Sequence, residues 1–151
     1  MKQSIIALLI LCYVTAQAED KNPARWTYSF VKTGNQTGEI HITATIDQPW
    51  HIYAQLQPKE AIAQPTVIKL NTNPLVIADG RPVEKGKKET YRNNEVGIIQ
   101  YQYGGVVEFI QKVKLKAHVK TSITGSITYQ VCNEEMCLPV RTDRFEVIVD
   151  K

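Results

Sequence analysis

A chain of 151 residues, 43% hydrophobic and 22% charged, has the length of one domain and the composition of a globular protein. Its formal charge of +3 is too small for nucleic acid to be the main partner. Three cysteines are too few for a disulfide-dense scaffold.

At the N-terminus Lys2 precedes the apolar run IIALLILCYV (5–14), and AQA (16–18) places small residues where a signal peptidase reads. We expect 1–18 to be a cleaved secretory signal peptide, too short for a membrane span, and 19–151 to form one domain. Cys12 would leave with the signal, because Leu11 is not the small residue that a lipoprotein site requires. Without Lys2, 17 Lys+Arg face 15 Asp+Glu, a net of +2. No later apolar run approaches spanning length, so a soluble mature chain without a membrane span is expected. About 130 residues can bury a full core without disulfides.

The elements that follow have period two, the pattern of half-buried strands. RWTYSFV opens the series. In GEIHITATID, Ile40, Ile42, Ala44 and Ile46 share a face and His41, Thr43 and Thr45 the other. WHIYAQL, TVIKL and LVIA are rich in β-branched and aromatic residues. VVEFIQKVKLKA sends Val107, Phe109, Val113, Leu115 and Ala117 one way, and Glu108, Lys112, Lys114 and Lys116 the other. ITGSITYQV aligns Ile123, Ile127, Tyr129 and Val131, and RFEVIV aligns Phe145, Val147 and Val149. KTGNQTG, DQP, NTNP, ADGRP and YGG are expected as turns between these runs. EKGKK (84–88) is expected as a solvated loop, and PKEAIAQ (58–64) as a single turn. About eight short strands with these separators predict an all-β fold, an antiparallel sandwich of immunoglobulin type.

Chemistry concentrates in TYQVCNEEMCLPV, residues 128–140. Parity sends Tyr129 and Val131 to the core, so Cys132 should start on the outer face or leave the strand. The polar NEEM insert can loop back to bring Cys137 within bonding reach, and Pro139 delays re-entry into a ladder. A strand from Arg141 to Val149 is expected to follow. A bridge over so short a loop stabilises by only about 2 kcal/mol, whereas short-range dithiols suit bonds that break and reform. Composition leaves both a structural staple and a redox pair open. Zinc would need a second ligand pair, and His41, His51 and His118 are scattered. His51 and His118 are expected as outward strand residues. Nothing marks a His base beside a cysteine. A metal chaperone lacks a Met or His cluster, Met136 standing alone. No metal and no cofactor are expected.

At YQVCNEEMCLPV the chain resembles the N-terminal periplasmic domain of DsbD, the transmembrane disulfide reductase. PWHIYAQ and QYGGVVEFIQKVKL extend the likeness, which runs from about Trp50 to Val149. The resemblance implies an immunoglobulin-like fold with a small inserted active-site region, in the periplasm. It implies electron relay from a thioredoxin-fold donor to thioredoxin-like acceptors, such as disulfide isomerases or cytochrome-maturation reductases. It makes Cys137 the exchanging sulfur and Cys132 the resolving one. Tyr53 matches a Tyr near the active site, and Gln102, Tyr103 and Gly104 fall on the cap loop that shields the disulfide. Well-known members have a Phe at the place of Gln102, so the cap is expected from Tyr101 or Tyr103. Their cysteines are one residue further apart, and Val140 stands where they have a second Pro. As a free-standing monomer the domain would meet its donor as a separate protein. Glu134 and Glu135, if near the sulfurs, would disfavour a thiolate; as loop residues they would simply be solvated. The rival expectation is a secreted, non-catalytic β-sandwich binding module with a structural disulfide. The NQT sequon at 35–37 is incidental in a bacterial protein.

Overall fold

A computed structural model describes residues 22–150; the expected signal peptide and Cys12 lie outside the described residues. Among the described residues there are nine strands and no helix, hence none long and apolar enough to cross a membrane. β1 (Ala24–Lys32) pairs antiparallel with β2 (Thr37–Ile46) through the KTGNQTG turn. β3 (His51–Tyr53) follows the DQP turn, where the Gln48–Pro49 peptide is cis. β4 (Val67–Leu70), β5 (Val76–Asn93), β6 (Ile98–Leu115), β7 (Thr121–Tyr129), β8 (Val131–Cys132) and β9 (Arg141–Val149) complete the series. One sheet runs β1-β2-β6-β3-β8, with β5 on the other edge of β6; the second runs β4-β7-β9. All pairings are antiparallel. The result is the expected immunoglobulin-like sandwich.

The inner faces follow the alternation in the sequence. Ile40, Ile42, Ala44, Val107 and Phe109 from one sheet meet Ile123, Ile127, Tyr129, Phe145 and Val147 from the other in a single buried cluster. Trp26, Tyr28 and Phe30 of β1 pack against it. Their rings stitch the layers: Tyr28 stacks on Phe145 with centroids 5.1 Å apart, and Trp26 meets Tyr129 edge-on at 5.1 Å. Such aromatic pairs contribute about 0.5–1.5 kcal/mol beyond their burial. Gln111 breaks the apolar stripe of β6 yet stays buried. Its Nε2 donates to the carbonyls of Gly80 and Lys112, so the polar group is satisfied.

Two expected turns are not turns. ADGRP lies inside β5 and YGG inside β6, and the EKGKK cluster belongs to β5 rather than to a loop. β5 and β6 are 18 residues each and form one long hairpin. A backbone that already has a ladder partner turns glycine-rich breaks into bulges instead of reversals. The register shifts between Asp79 and Val83 and again between Gly86 and Lys88. The second shift faces Gly105, whose φ of +69° is open to glycine and costly for other residues. There β6 exchanges neighbours: Gly105 pairs with Ile46 of β2, and Tyr103 with Ile52 of β3. The outer half of the hairpin thus leaves the sandwich and reaches towards the cysteines. PKEAIAQ keeps its single turn, closed by Ala61 N–H to the Pro58 carbonyl.

Candidate functional site: a disulfide at the head of a cleft

The strand that ends in Tyr129 belongs to the small sheet, and the two residues of β8 belong to the large one. Gln130 is the crossover between them. Its Oε1 accepts the Gln64 N–H and its Nε2 donates to the Leu138 carbonyl, at 3.0 and 3.1 Å. One side chain thereby ties the 54–66 connection to the cysteine loop. Val131 faces the core, and Cys132 faces the opposite way. Cys132 thus lies on the outer face, one of the two expected placements, yet it is 2% exposed. Ile62 of the 54–66 connection and Tyr91 and Ile98 near the β5–β6 tip line a cleft together with it.

Cys132 and Cys137 are disulfide-bonded and face each other as an isolated antiparallel bridge. The four residues between them form a self-contained turn. Asn133 Oδ1 accepts the N–H groups of Glu135 and Met136, and Asn133 N–H donates to the Met136 carbonyl. Leu138 N–H donates to the Val131 carbonyl beyond the bridge. Asn at the head of such a turn is a local substitute for ladder bonds. Backbone and side-chain bonds therefore frame the loop independently of the S–S bond. Cys137 is exposed where Cys132 is buried.

The disulfide heads a cleft of about 290 Å³. Its floor is the outer face of the sheet extension, and period two selects it. His51 and Tyr53 of β3, Gln100 and Gln102 of β6, and Tyr91 of β5 point into it together. Ile62, Ile98 and the Asn133–Met136 turn wall it. Of the expected site residues, Tyr53, Gln102, Glu134 and Glu135 line this cleft with both cysteines. Tyr101 and Tyr103, expected as the cap, are not among its lining residues. Tyr103 is paired with Ile52 and shares its core face; its hydroxyl donates to Glu84 Oε2 at 2.7 Å. Tyr101 packs on the core, with Lys88 Nζ 5.6 Å from its ring centre. The aromatic side chain added to the cleft is Tyr91 instead, on the register partner of Gln100.

Glutamines hold this region in shape. Gln57 behaves like an added strand residue: its Oε1 accepts Tyr101 N–H and its Nε2 donates to the Tyr101 carbonyl. Gln100 is buried, and its Oε1 accepts the N–H groups of Ile62 and Ala63. The Tyr53 hydroxyl is raised by burial, with a hydrogen bond from Gln100 opposing and Tyr91 adding to the rise. Tyr53 is therefore a neutral hydroxyl beside the disulfide at ordinary pH. His51, Tyr91, Gln100, Ile62, Ile98 and Met136 were not singled out for the site from the sequence. Parity from Tyr53 would have found His51; the others depend on pairings between distant segments.

Comparison with known proteins now bears on this geometry. The family model for the thiol:disulfide interchange protein DsbD, N-terminal, matches residues 16–148. The chain belongs to this family. A search of curated proteins finds no match. Among solved structures, the reduced N-terminal domain of Neisseria meningitidis DsbD superposes with a TM-score of 0.52 at 16% identity. The match covers 83% of this chain and 86% of that one. The N-terminal periplasmic domain of ScsB from Proteus mirabilis gives 0.52 at 16% identity over 84% of this chain. The chain spans 45% of that one. The complex between the DsbD and PilB N-terminal domains of Neisseria meningitidis gives 0.48 at 19% identity, covering 80% of each chain. At 16% identity the first two likenesses are of fold alone, and they agree with the sandwich described above.

Proposed function

We propose that this chain is a periplasmic thiol–disulfide exchange module that relays electrons from a thioredoxin-fold donor to thioredoxin-like acceptors. The observation that carries the proposal is the unequal placement of the two cysteines at the head of an open cleft. An incoming thiolate reaches the sulfur that is accessible. Cys137 is exposed and Cys132 buried, so Cys137 forms the mixed disulfide and Cys132 resolves it. Family membership supports the chemistry, and the secretory-type N-terminus supports the compartment. Ile62, Val96, Met136 and Val140 are exposed apolar residues on the segments around the cleft. They offer a docking rim for a partner whose own cysteine must approach Cys137.

The staple reading loses ground on a specific point. The turn already holds itself by its own hydrogen bonds, and closing so short a loop contributes only about 2 kcal/mol. A Cys132→Ala variant separates the two. Exchange predicts that Cys137 retains a thioredoxin-fold protein as a mixed disulfide, with the melting temperature nearly that of the reduced wild type. A chain that is recovered from periplasm without any cross-linked partner would count against exchange. Glu134 and Glu135 line the cleft with the sulfurs, so their charge opposes a thiolate on Cys137. Reaction then depends on a docked partner rather than on a reactive thiol. A titration of Cys137 in the reduced chain checks this: a value well below that of free cysteine would remove the Glu pair from the mechanism.

A further inference from the structure

We infer that His51 is the acid–base group of the dithiol, giving a proton to Cys132 when the disulfide opens and taking it back when the bond reforms. The inference rests on the exchange chemistry proposed above. It starts from register: in the β3–β8 ladder His51 is the direct partner of Cys132. Opposed residues of an antiparallel pair lie on one face with Cβ atoms about 4.5–5.5 Å apart. Both side chains line the same cleft. The imidazole is 21% exposed, so it is sheltered yet connected to solvent.

The ring has a prepared seat. A Cβ at position 104 would fall 3.1 Å from His51 Cδ2 and 3.3 Å from Nε2, so glycine leaves the space the ring fills. Glu89 of β5 places Oε2 3.7 Å from His51 Nε2. Lys87 Nζ lies 3.3 Å from the other Glu89 oxygen. The remaining titratable groups of the cleft are Tyr53 on the same strand, Tyr91 of β5, Glu134 and Glu135 of the turn, and the cysteines themselves. The β6 residues facing it, Gln102 and Gly104, carry no charge. Histidine is the side chain whose charge ordinarily changes in the range where thiol exchange operates.

The step balances as follows. A reductant thiolate attacks Cys137 Sγ, and the Cys137–Cys132 bond breaks. Its electron pair moves to Cys132 Sγ, which takes a proton from the His51 imidazolium. The reductant's second thiolate then attacks the mixed disulfide, becoming a disulfide and releasing Cys137; two electrons have entered the pair. In reverse, neutral His51 accepts the Cys132 proton as Cys132 attacks the sulfur of Cys137 and the partner thiol departs. Proton donation to the departing sulfur as the bond breaks is general acid catalysis, which lowers the barrier by neutralising the charge that develops on it.

The test is the rate at which dithiothreitol reduces the oxidised chain between about pH 5 and 8, divided by the reagent's thiolate fraction. The corrected rate is expected to be highest at low pH and to fall about tenfold as the imidazole loses its proton. That is below the usual range for general acids, because a thiolate is already a fair leaving group. His51→Gln should give a low, pH-independent corrected rate. His41→Gln should leave the profile unchanged, since His41 lies with Glu39 and Glu108 on β2 and β6 away from the cleft. A flat profile in the wild type, or the same fall in His51→Gln, overturns the inference. Dithiothreitol needs no protein partner, so this outcome is independent of whether Cys132→Ala traps one.

Discussion

Cys132 and Cys137 carry the same side chain in opposite surroundings, and the difference arises within a single tight turn. Val131 must face the core, so Cys132 faces the cleft floor, while Cys137 returns on the exposed side of the bridge. A comparable division separates Gln102 from Tyr103. The first points to the disulfide, and the second to a carboxylate on the core side. Glu84 is only 12% exposed and accepts both the Tyr103 hydroxyl and the Gln55 N–H. Removing one bond to a charged, sheltered group costs about 1.5–3 kcal/mol. Tyr103→Phe is therefore expected to lower stability by that amount in urea unfolding. It should leave the rate of disulfide reduction unchanged, since its ring does not line the cleft. Faster reduction in this variant would place Tyr103 over the disulfide after all.

At the scale of elements, the long β5–β6 hairpin connects sandwich to site. Its inner half completes the core sheet, and its outer half supplies Tyr91, Ile98, Gln100 and Gln102 to the cleft. The change happens at Gly105, in the left-handed region. An alanine there meets no atom within 4 Å, so its cost is conformational rather than steric. It should amount to about 1–2 kcal/mol. Gly105→Ala is expected to lose that stability in chemical denaturation and to speed reduction of the disulfide, because the outer half of the hairpin would no longer be aimed at it. A variant with wild-type stability would show that the left-handed turn of β6 is not required.

At the scale of the molecule, each sheet holds a buried tyrosine whose hydroxyl meets an acid on a neighbouring strand of the same sheet. Tyr129 donates to Asp143 and Tyr103 to Glu84, and both are raised, by burial first and by these carboxylates next. Tyr28 is pushed up to about 12 by burial, with Asp143 and Tyr129 adding to it. The folded chain keeps protons that the unfolded chain releases above about pH 10. This contribution is complete below that pH and is lost as pH rises towards about 12. The melting temperature should accordingly fall across this window, with tyrosinate absorbance rising alongside unfolding. Ionisation of all tyrosines near pH 10 in a still-folded chain would contradict the placement of these hydroxyls.

Alternation along 40–46, 107–115, 123–131 and 145–149 determined the core faces and the all-β class, because burial on one face of a strand needs only the local period of two. The YQVCNEEMCLPV stretch likewise singled out the two cysteines that the structure joins at the head of the cleft. The path of the chain between those runs was decided by tertiary pairing. ADGRP, EKGKK and YGG have the composition of turns and loops, and became strand because a partner ladder was available on β5 and β6. The cleft was decided in the same way. Its floor joins residues of β3, β5, β6 and β8 through registers that no local pattern encodes. A shift of one residue in any of them would exchange Gln102 for Tyr103, or His51 for Ile52, beside the disulfide.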